Sequence, residues 1–288
     1  MPGTQPDPRW YSAGALTMSL FEFTVDWQKK RLPGAEFRVG HLLVRHFALP
    51  GFNDRLSGKK LLFFSDLHWK SSESVSLGAD LRTAARELDP NWIVFGGDLI
   101  RHLDVLDEAL SFLKSLSSRN GNLAVLGNWE RTLSWRPPEF WRRAYNDCGF
   151  ELLVNEVWQG TEGLLVAGLD ESRHGSPDLS LPAGLACDRS VICVSHSPDP
   201  LGQSEYPVLA DICLAGHTHG GQWRIPRFGA VVTSSKYHKA MEYGWYRRHG
   251  EHGAGRELLY VTAGVGMTGP KLLRRRWHCP PEILMLEF

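Results

Sequence analysis

The stretch Leu61-Leu62-Phe63-Phe64-Ser65-Asp66-Leu67-His68 is a short apolar run that stops in a carboxylate and an imidazole. Four consecutive apolar residues bounded by polar ones suit a strand buried on both faces. Asp66 and His68 then lie just past its carboxyl end. The pattern recurs downstream. Trp92–Phe95 leads into Gly96-Gly97-Asp98-Leu99, and Leu123–Leu126 into Gly127-Asn128-Trp129-Glu130. Val191–Val194 leads into Ser195-His196-Ser197, and Ile212–Ala215 into Gly216-His217-Thr218-His219-Gly220-Gly221-Gln222. In layered α/β folds the carboxyl ends of the strands share one edge, where ligands bind. Asp66, His68, Asp98, Asn128, His196, His217 and His219 are therefore expected at one mouth.

Further apolar runs lie at Leu164–Ala167, Leu258–Thr262 and Ile283–Leu286. Helical spacing fills the early gaps. Leu77, Leu81, Ala84, Ala85 and Leu88 form one face, and Leu103, Leu106, Leu110 and Leu113 another. Pro138 opens a third helix with Phe140, Trp141 and Tyr145. The first three strand ends are about 30 residues apart, one β-α unit each. The expectation is a single layered α/β domain over residues 37–288, preceded by an extension over 1–36. Within that extension Leu16, Leu20, Phe23 and Trp27 share a helical face, followed by Lys29, Lys30 and Arg31. Three readings fit residues 16–28: an interfacial membrane helix, a helix docked on the domain, or a strand through the alternation Phe21, Phe23, Val25, Trp27.

Composition narrows the function. The chain has 288 residues, 42% hydrophobic and 22% charged, which excludes a disordered chain or a polytopic membrane protein. Lys plus Arg and Asp plus Glu are both 32, so no basic footprint for nucleic acid exists. No apolar run reaches the roughly 18 residues of a membrane span. The start of the chain lacks a basic region followed by an apolar core, so no signal peptide is expected. Five cysteines form no C-x-x-C pair, which suits a reducing compartment. The expected location is cytoplasmic, peripheral on the inner face of the membrane if residues 16–28 bind lipid. No G-x-S-x-G and no G-x-x-x-x-G-K-[ST] occurs, which argues against a serine hydrolase or a nucleotide-driven motor.

The strand-end residues suggest a metal centre. In D-x-H and H-x-H, alternate residues of an extended segment share a face. Glycine before Asp98, Asn128 and His217 permits tight turns or close approach. Four imidazoles, two carboxylates and an amide exceed what one ion uses, so two ions sharing Asp98 is the economical arrangement. Mixed N/O ligation without thiolate points to Mn, Fe, Zn or Co, with manganese favoured. Two ions about 3.5–4 Å apart hold a hydroxide and clamp phosphoryl oxygens for in-line attack. A lone Asp or His after a strand is ordinarily a cap or a surface residue. Five strand-end motifs in this order are not.

Through Asp66-Leu67-His68, Gly97-Asp98, Gly127-Asn128, His196 and Gly216-His217-Thr218-His219, the chain resembles the calcineurin-like metallophosphoesterases over about residues 50–288. Gly220-Gly221-Gln222, Gly264-Val265-Gly266 and Pro281-Glu282-Ile283 are similar to a bacterial branch of membrane-associated phosphodiesterases. That branch includes UDP-2,3-diacylglucosamine pyrophosphatases of lipid A synthesis. The resemblance implies a four-layer sandwich of two mixed β-sheets flanked by helices. It implies one ion held by Asp66, His68, Asp98 and His219, and a second by Asp98, Asn128, His196 and His217. Asn128 doubles as a candidate phosphate contact. The implied activity is hydrolysis of a phosphoric anhydride or diester, with a phosphorylated small molecule or lipid-linked compound as substrate. UDP-2,3-diacylglucosamine is the specific expectation. A broad-specificity phosphodiesterase and a catalytically impaired binding scaffold are the alternatives.

One residue departs from the family pattern. Trp129 stands where the family has a histidine that contacts the phosphoryl group or helps protonate the leaving group. Trp129 cannot transfer a proton, and Glu130 loses the task of orienting that histidine. General acid help contributes about 10²–10⁴-fold. Its loss matters least when the leaving group is already acidic, as in a pyrophosphate. His102 or Arg131 could take over the role. Arg131 and Arg275 are candidate substrate-binding residues, the latter from Arg274-Arg275-Arg276 beside Trp277. Such a charge run is ordinarily a solvated face.

Overall fold

A computed structural model describes residues 25–49, 52, 54–70, 74–132, 136–160, 163–185, 189–202, 209–248, 257–269 and 274–288. The strands are β1 (Trp27–Lys29), β2 (Ala35–Val39), β3 (Leu42–Ala48), β4 (Lys60–Phe64), β5 (Trp92–Phe95), β6 (Gly121–Ala124), β7 (Phe150–Leu152) and β8 (Glu156–Gln159). They continue as β9 (Leu164–Gly168), β10 (Ser190–Ser195), β11 (Ile212–Ala215), β12 (Arg224–Ile225), β13 (Gly229–Ala230), β14 (Gly244–Arg248), β15 (Leu258–Val261) and β16 (Glu282–Glu287). The principal helices are α1 (Ser74–Leu88), α2 (Leu106–Lys114), α3 (Asn128–Thr132) and α4 (Pro138–Asn146).

Two seven-stranded mixed sheets form the body of the α/β fold. One runs β2-β3-β16-β4-β5-β6-β7, the other β1-β14-β15-β11-β10-β9-β8. The chemistry-bearing strands β4, β5 and β6 are parallel neighbours, as are β10 and β11. Period-2 alternation explains why these runs are apolar throughout. Leu61, Phe63, Trp92 and Val94 face the second sheet and meet Val166, Ile192 and Leu214. Leu62, Phe64, Ile93 and Phe95 face the other way, into a cluster with Leu81 and Ala84 of α1 and Phe112 and Leu113 of α2. The far face of the second sheet packs on Leu201, Leu209, Tyr237 and Met241 from short turns and loops.

β16 joins the sheets chemically. The Glu282 carboxylate is buried and accepts from the hydroxyls of Tyr243, Tyr260 and Thr262, the Ala263 N–H and the Arg45 guanidinium. These donors come from both sheets.

The N-terminal boundary is corrected. β1 pairs antiparallel with β14, and the Trp27 indole N–H donates to the Leu201 carbonyl at 2.6 Å. The domain therefore begins before residue 37, and Trp27 and Gln28 are extended rather than helical. Residues 16–24 of the expected amphipathic segment lie outside the described residues. Among the described residues no helix is long and apolar enough to cross a membrane.

Candidate metal centre

The strand ends do not project their side chains by simple alternation. Asp66, His68, Asp98, His217 and His219 all have φ between 42° and 66°. This left-handed region costs a non-glycine residue of order 1–3 kcal/mol and persists only where the surroundings over-determine it. Here the two sheets supply the constraint. The Asp66 N–H donates to the Gly97 carbonyl, His68 to Asp98 and Gly216 to His196. The shared-face reading of D-x-H is thus replaced by a pair of left-handed residues that turn both side chains inward. Glycine is required where turns meet. Gly97 has φ 87°, and a Cβ there would lie 2.4 Å from the Gly127 nitrogen. A Cβ on Gly127 would lie 2.2 Å from Asp98 Oδ1.

All seven predicted side chains converge. Asp66, His68 and His219 form one group, and Asp98, His196 and His217 a second. Each group brings its ligand atoms within 4.8 Å of one another. His68 Nε2 lies 3.0 Å from His219 Nε2, which lies 3.4 Å from Asp66 Oδ1. His196 Nε2 lies 3.2 Å from His217 Nδ1 and 3.1 Å from Asn128 Oδ1. Asp98 Oδ2 stands between the groups, 3.6 Å from His68 Nε2 and 3.4 Å from His196 Nε2.

The donor set fits divalent ions. Two nitrogens about 2.1 Å from one ion and roughly 90–110° apart lie about 3.0–3.4 Å from each other. Asp66 Oδ1 is buried without a hydrogen bond, and so is His217 Nε2. A buried carboxylate oxygen left unpaired is costly, and a cation satisfies it. The His196 Nδ1 atom bonds to the Gly96 carbonyl at 2.8 Å, which turns Nε2 toward the centre.

The electrostatics agree. Burial, reinforced by neighbouring cationic groups, holds His68, His217 and His219 well below the ordinary histidine range, so each presents a neutral lone pair. Burial pushes the Asp66 carboxyl up to about 6, with the Asp98 charge adding to it. Burial opposes charge on His196, yet Asp98 outweighs it and pushes the imidazole up to about 10. Without an ion, Asp98 thus keeps a proton on His196. A divalent cation competes for the same site.

Glu130 has a task that sequence reasoning missed. It is fully buried at the start of α3, and its carboxylate accepts the N–H groups of Asp98, Leu99 and Gly127. Burial, then the Asp98 charge, pushes it up to about 7. It ties two strand-end turns together beside Asp98. Trp129 donates its backbone N–H to Asp98 Oδ1 at 2.9 Å. Its ring lies edge-on to His68 and carries the Arg101 guanidinium 4.3 Å from its centroid.

Other expectations need correction. Arg131 is not free for substrate, because its guanidinium pairs with Asp170. His102 is exposed. Arg275 is exposed, whereas its neighbour Arg276 turns inward and donates to the carbonyls of Ala263, Gly264 and Gly266. That fan pins the loop whose Val265 and Gly266 N–H groups bond Ser65 and Asp66. Trp141 is a core residue bonded to the Glu130 carbonyl.

A cavity of about 660 Å³ opens over the two groups. Asp98, Asn128, His217 and His219 reach it from below. Arg173 lines one side, held by its N–H to Glu171 and its guanidinium to the Ser234 carbonyl. Trp223, Val231 and Val232 add an apolar part to the lining. Gln222 and Thr268 exchange two hydrogen bonds at the rim. Arg173 carried no sequence signal, since it follows no strand directly.

Comparison with known proteins places this centre. Residues 59–221 match the calcineurin-like phosphoesterase family. The chain is 30% identical to an uncharacterized metallophosphoesterase, YkuE, of Bacillus subtilis, over 94% of this chain and 91% of the relative. It is 27% identical to the phosphodiesterase YaeI of Escherichia coli, over 85% and 87%. It is 24% identical to the UDP-2,3-diacylglucosamine pyrophosphatase LpxG of Chlamydia muridarum, over 96% and 92%. With a two-group metal centre at the strand ends of a double sheet, the chain belongs to the calcineurin-like phosphoesterases and is a metal-dependent phosphoester hydrolase.

Proposed function

We propose that this phosphoesterase cleaves a lipid-linked diphosphate, of the kind that UDP-2,3-diacylglucosamine represents. The observation that carries the reading is the cavity, whose lining combines candidate metal ligands, Arg173 and the apolar side chains of Trp223, Val231 and Val232. Asp66, His68, Asp98 and His219 would hold one ion, and Asp98, Asn128, His196 and His217 the other. Ions held there would supply Lewis-acid polarisation of phosphoryl oxygens and activation of water. Manganese suits this oxygen-and-imidazole set, as do iron, zinc and cobalt.

The chain's own residues divide the rest. Asp98 spans both groups and sets their separation. Asn128 reaches the cavity with its amide beside His196 and can donate to a phosphate oxygen. Arg173 offers a guanidinium to a second phosphate or to the leaving group. Trp129 has no proton to give, so the site suits a leaving group that departs as a stable phosphate monoester anion. Trp223, Val231 and Val232 give an acyl chain an apolar surface.

A phosphodiesterase of broader specificity is the second reading, favoured by the likeness to YaeI over most of both chains. One assay separates the two. Purified manganese-loaded protein is offered UDP-2,3-diacylglucosamine and simple alkyl and aryl phosphodiesters, with Asp98→Asn as the blank. UMP release that vanishes in the blank supports the lipid diphosphate. Turnover of the diesters without UMP release overturns it in favour of the second reading.

A further inference from the structure

β12 and β13 form a two-stranded ribbon beside the cavity, with Arg224 opposite Ala230 and Ile225 opposite Gly229. Val231 extends the pairing by donating its N–H to the Trp223 carbonyl. Alternation then puts Trp223, Ile225 and Val231 on one face and Arg224 and Ala230 on the other. The polarity of the faces is inverted. Ala230 is buried, and Arg224 turns toward the domain to pair with the Glu242 carboxylate at 2.7 Å. The apolar side chains face outward. Phe228 at the ribbon's turn is 57% exposed, Val232 73%, and Trp277, stacked on Trp223, 58%.

An ordinary solvated ribbon points polar residues outward and apolar ones in. A clustered apolar surface with a pair of stacked tryptophans marks an interaction site. Its surroundings choose the partner. The groove beneath the turn is lined by Lys29, Arg224, Arg227 and Lys239, with Glu242 the one acid lining it among the described residues. Arg224 pairs with that acid, while Arg227 and Lys239 are exposed beside Phe228. Exposed aromatic and aliphatic side chains ringed by Arg and Lys complement an anionic lipid surface. Tryptophan settles at the headgroup level of such a surface.

We propose that the outer face of the β12–β13 ribbon, with Trp277, seats the enzyme on an anionic bilayer. Trp223 and Val231 belong both to this face and to the cavity lining, so the docked cavity opens at the lipid surface. This last point rests on the lipid-linked substrate proposed above. The seat itself does not.

The test is flotation of the full-length, metal-loaded chain with phosphatidylcholine vesicles, with and without phosphatidylglycerol. Ile225→Asp/Phe228→Asp alters only the ribbon's exposed end and leaves the cavity lining intact. Vesicle binding should fall at least roughly tenfold in this variant, with hydrolysis of a soluble aryl phosphodiester unchanged as proof of folding. Binding to the wild type should weaken with salt and without phosphatidylglycerol. A wild type that ignores anionic vesicles, or a double variant that floats as well as the wild type, overturns the seat. Equal binding to neutral and anionic vesicles overturns its electrostatic part. A chain that floats as expected but releases no UMP from the lipid diphosphate leaves the seat standing and removes the substrate reading.

Discussion

Replacing Glu130 with alanine tests whether the centre is built from below as the structure indicates. The carboxylate accepts three backbone N–H groups, from Asp98, Leu99 and Gly127. Its removal strands all three in a dry interior. At about 2 kcal/mol per orphaned buried donor, the gross cost is about 6 kcal/mol. Part of that is offset, because burying the carboxyl is itself unfavourable. Its pKa rises from 4.5 to about 7, worth about 3 kcal/mol at about 1.4 per unit. The net destabilisation of Glu130→Ala should be about 3 kcal/mol, or a melting temperature lower by roughly 6–10 °C. The assay is thermal unfolding of chelator-treated wild type and variant near pH 8, where the offset is complete. The pH dependence has a definite sign. A carboxyl with a raised folded pKa destabilises increasingly as pH climbs from about 4.5 to about 7. The gap between wild type and variant should therefore widen as pH is lowered through that window. Metal analysis is the second readout, since a loosened Asp98 should lower occupancy of both positions. An unchanged melting temperature with two ions bound per chain would refute the role given to Glu130.

Arg173→Ala should weaken inhibition by inorganic phosphate and raise KM about tenfold or more, the loss of one charge-assisted hydrogen bond. Unaltered phosphate inhibition would remove Arg173 from the substrate site. Asp170 is held below its ordinary value of 3.8, because burial is outweighed by Arg131 and the N–H groups of Glu171 and Ser176. Its contribution is complete above about pH 4 and fades as pH falls through the folded value. Asp170→Asn should flatten that acid limb of the stability curve, measured by urea unfolding, and a limb of unchanged slope would contradict it. Trp129→His restores a proton donor and should speed alkyl phosphodiester hydrolysis by up to about 10²-fold while leaving aryl diesters within a few-fold. Equal effects on both leaving groups would count against the acidic-leaving-group reading.

Much of the centre was legible in the chain because its chemistry is local. Leu61–Phe64, Trp92–Phe95 and Ile212–Ala215 are buried on both faces, and burial writes an uninterrupted apolar run. Residues directly after such runs fall at the carboxyl ends of parallel neighbours in each sheet, so the seven convergent side chains could be named without coordinates. The edge strands left no comparable trace. β1 and β2 are short and largely exposed, and their pairing is decided by β14 and β3 rather than by their own periodicity.

Sequence alone determined where the buried central strands lie along the chain and the identities of the seven converging residues, since both follow from which positions are apolar and what ends each strand. Only the tertiary structure decided which polar residues serve the centre and which serve the frame. Arg131 is taken by Asp170 across 39 positions, Arg45 by Glu282 across 237, and Arg276 by three carbonyls of one loop. Glu130 gained a role, Arg275 lost one, and the ribbon at Trp223–Val231 turned its apolar face outward. The reason is physical. Periodicity reports how deeply a residue is buried, whereas the task of a charged side chain depends on the partner it meets, and that partner lies far along the chain.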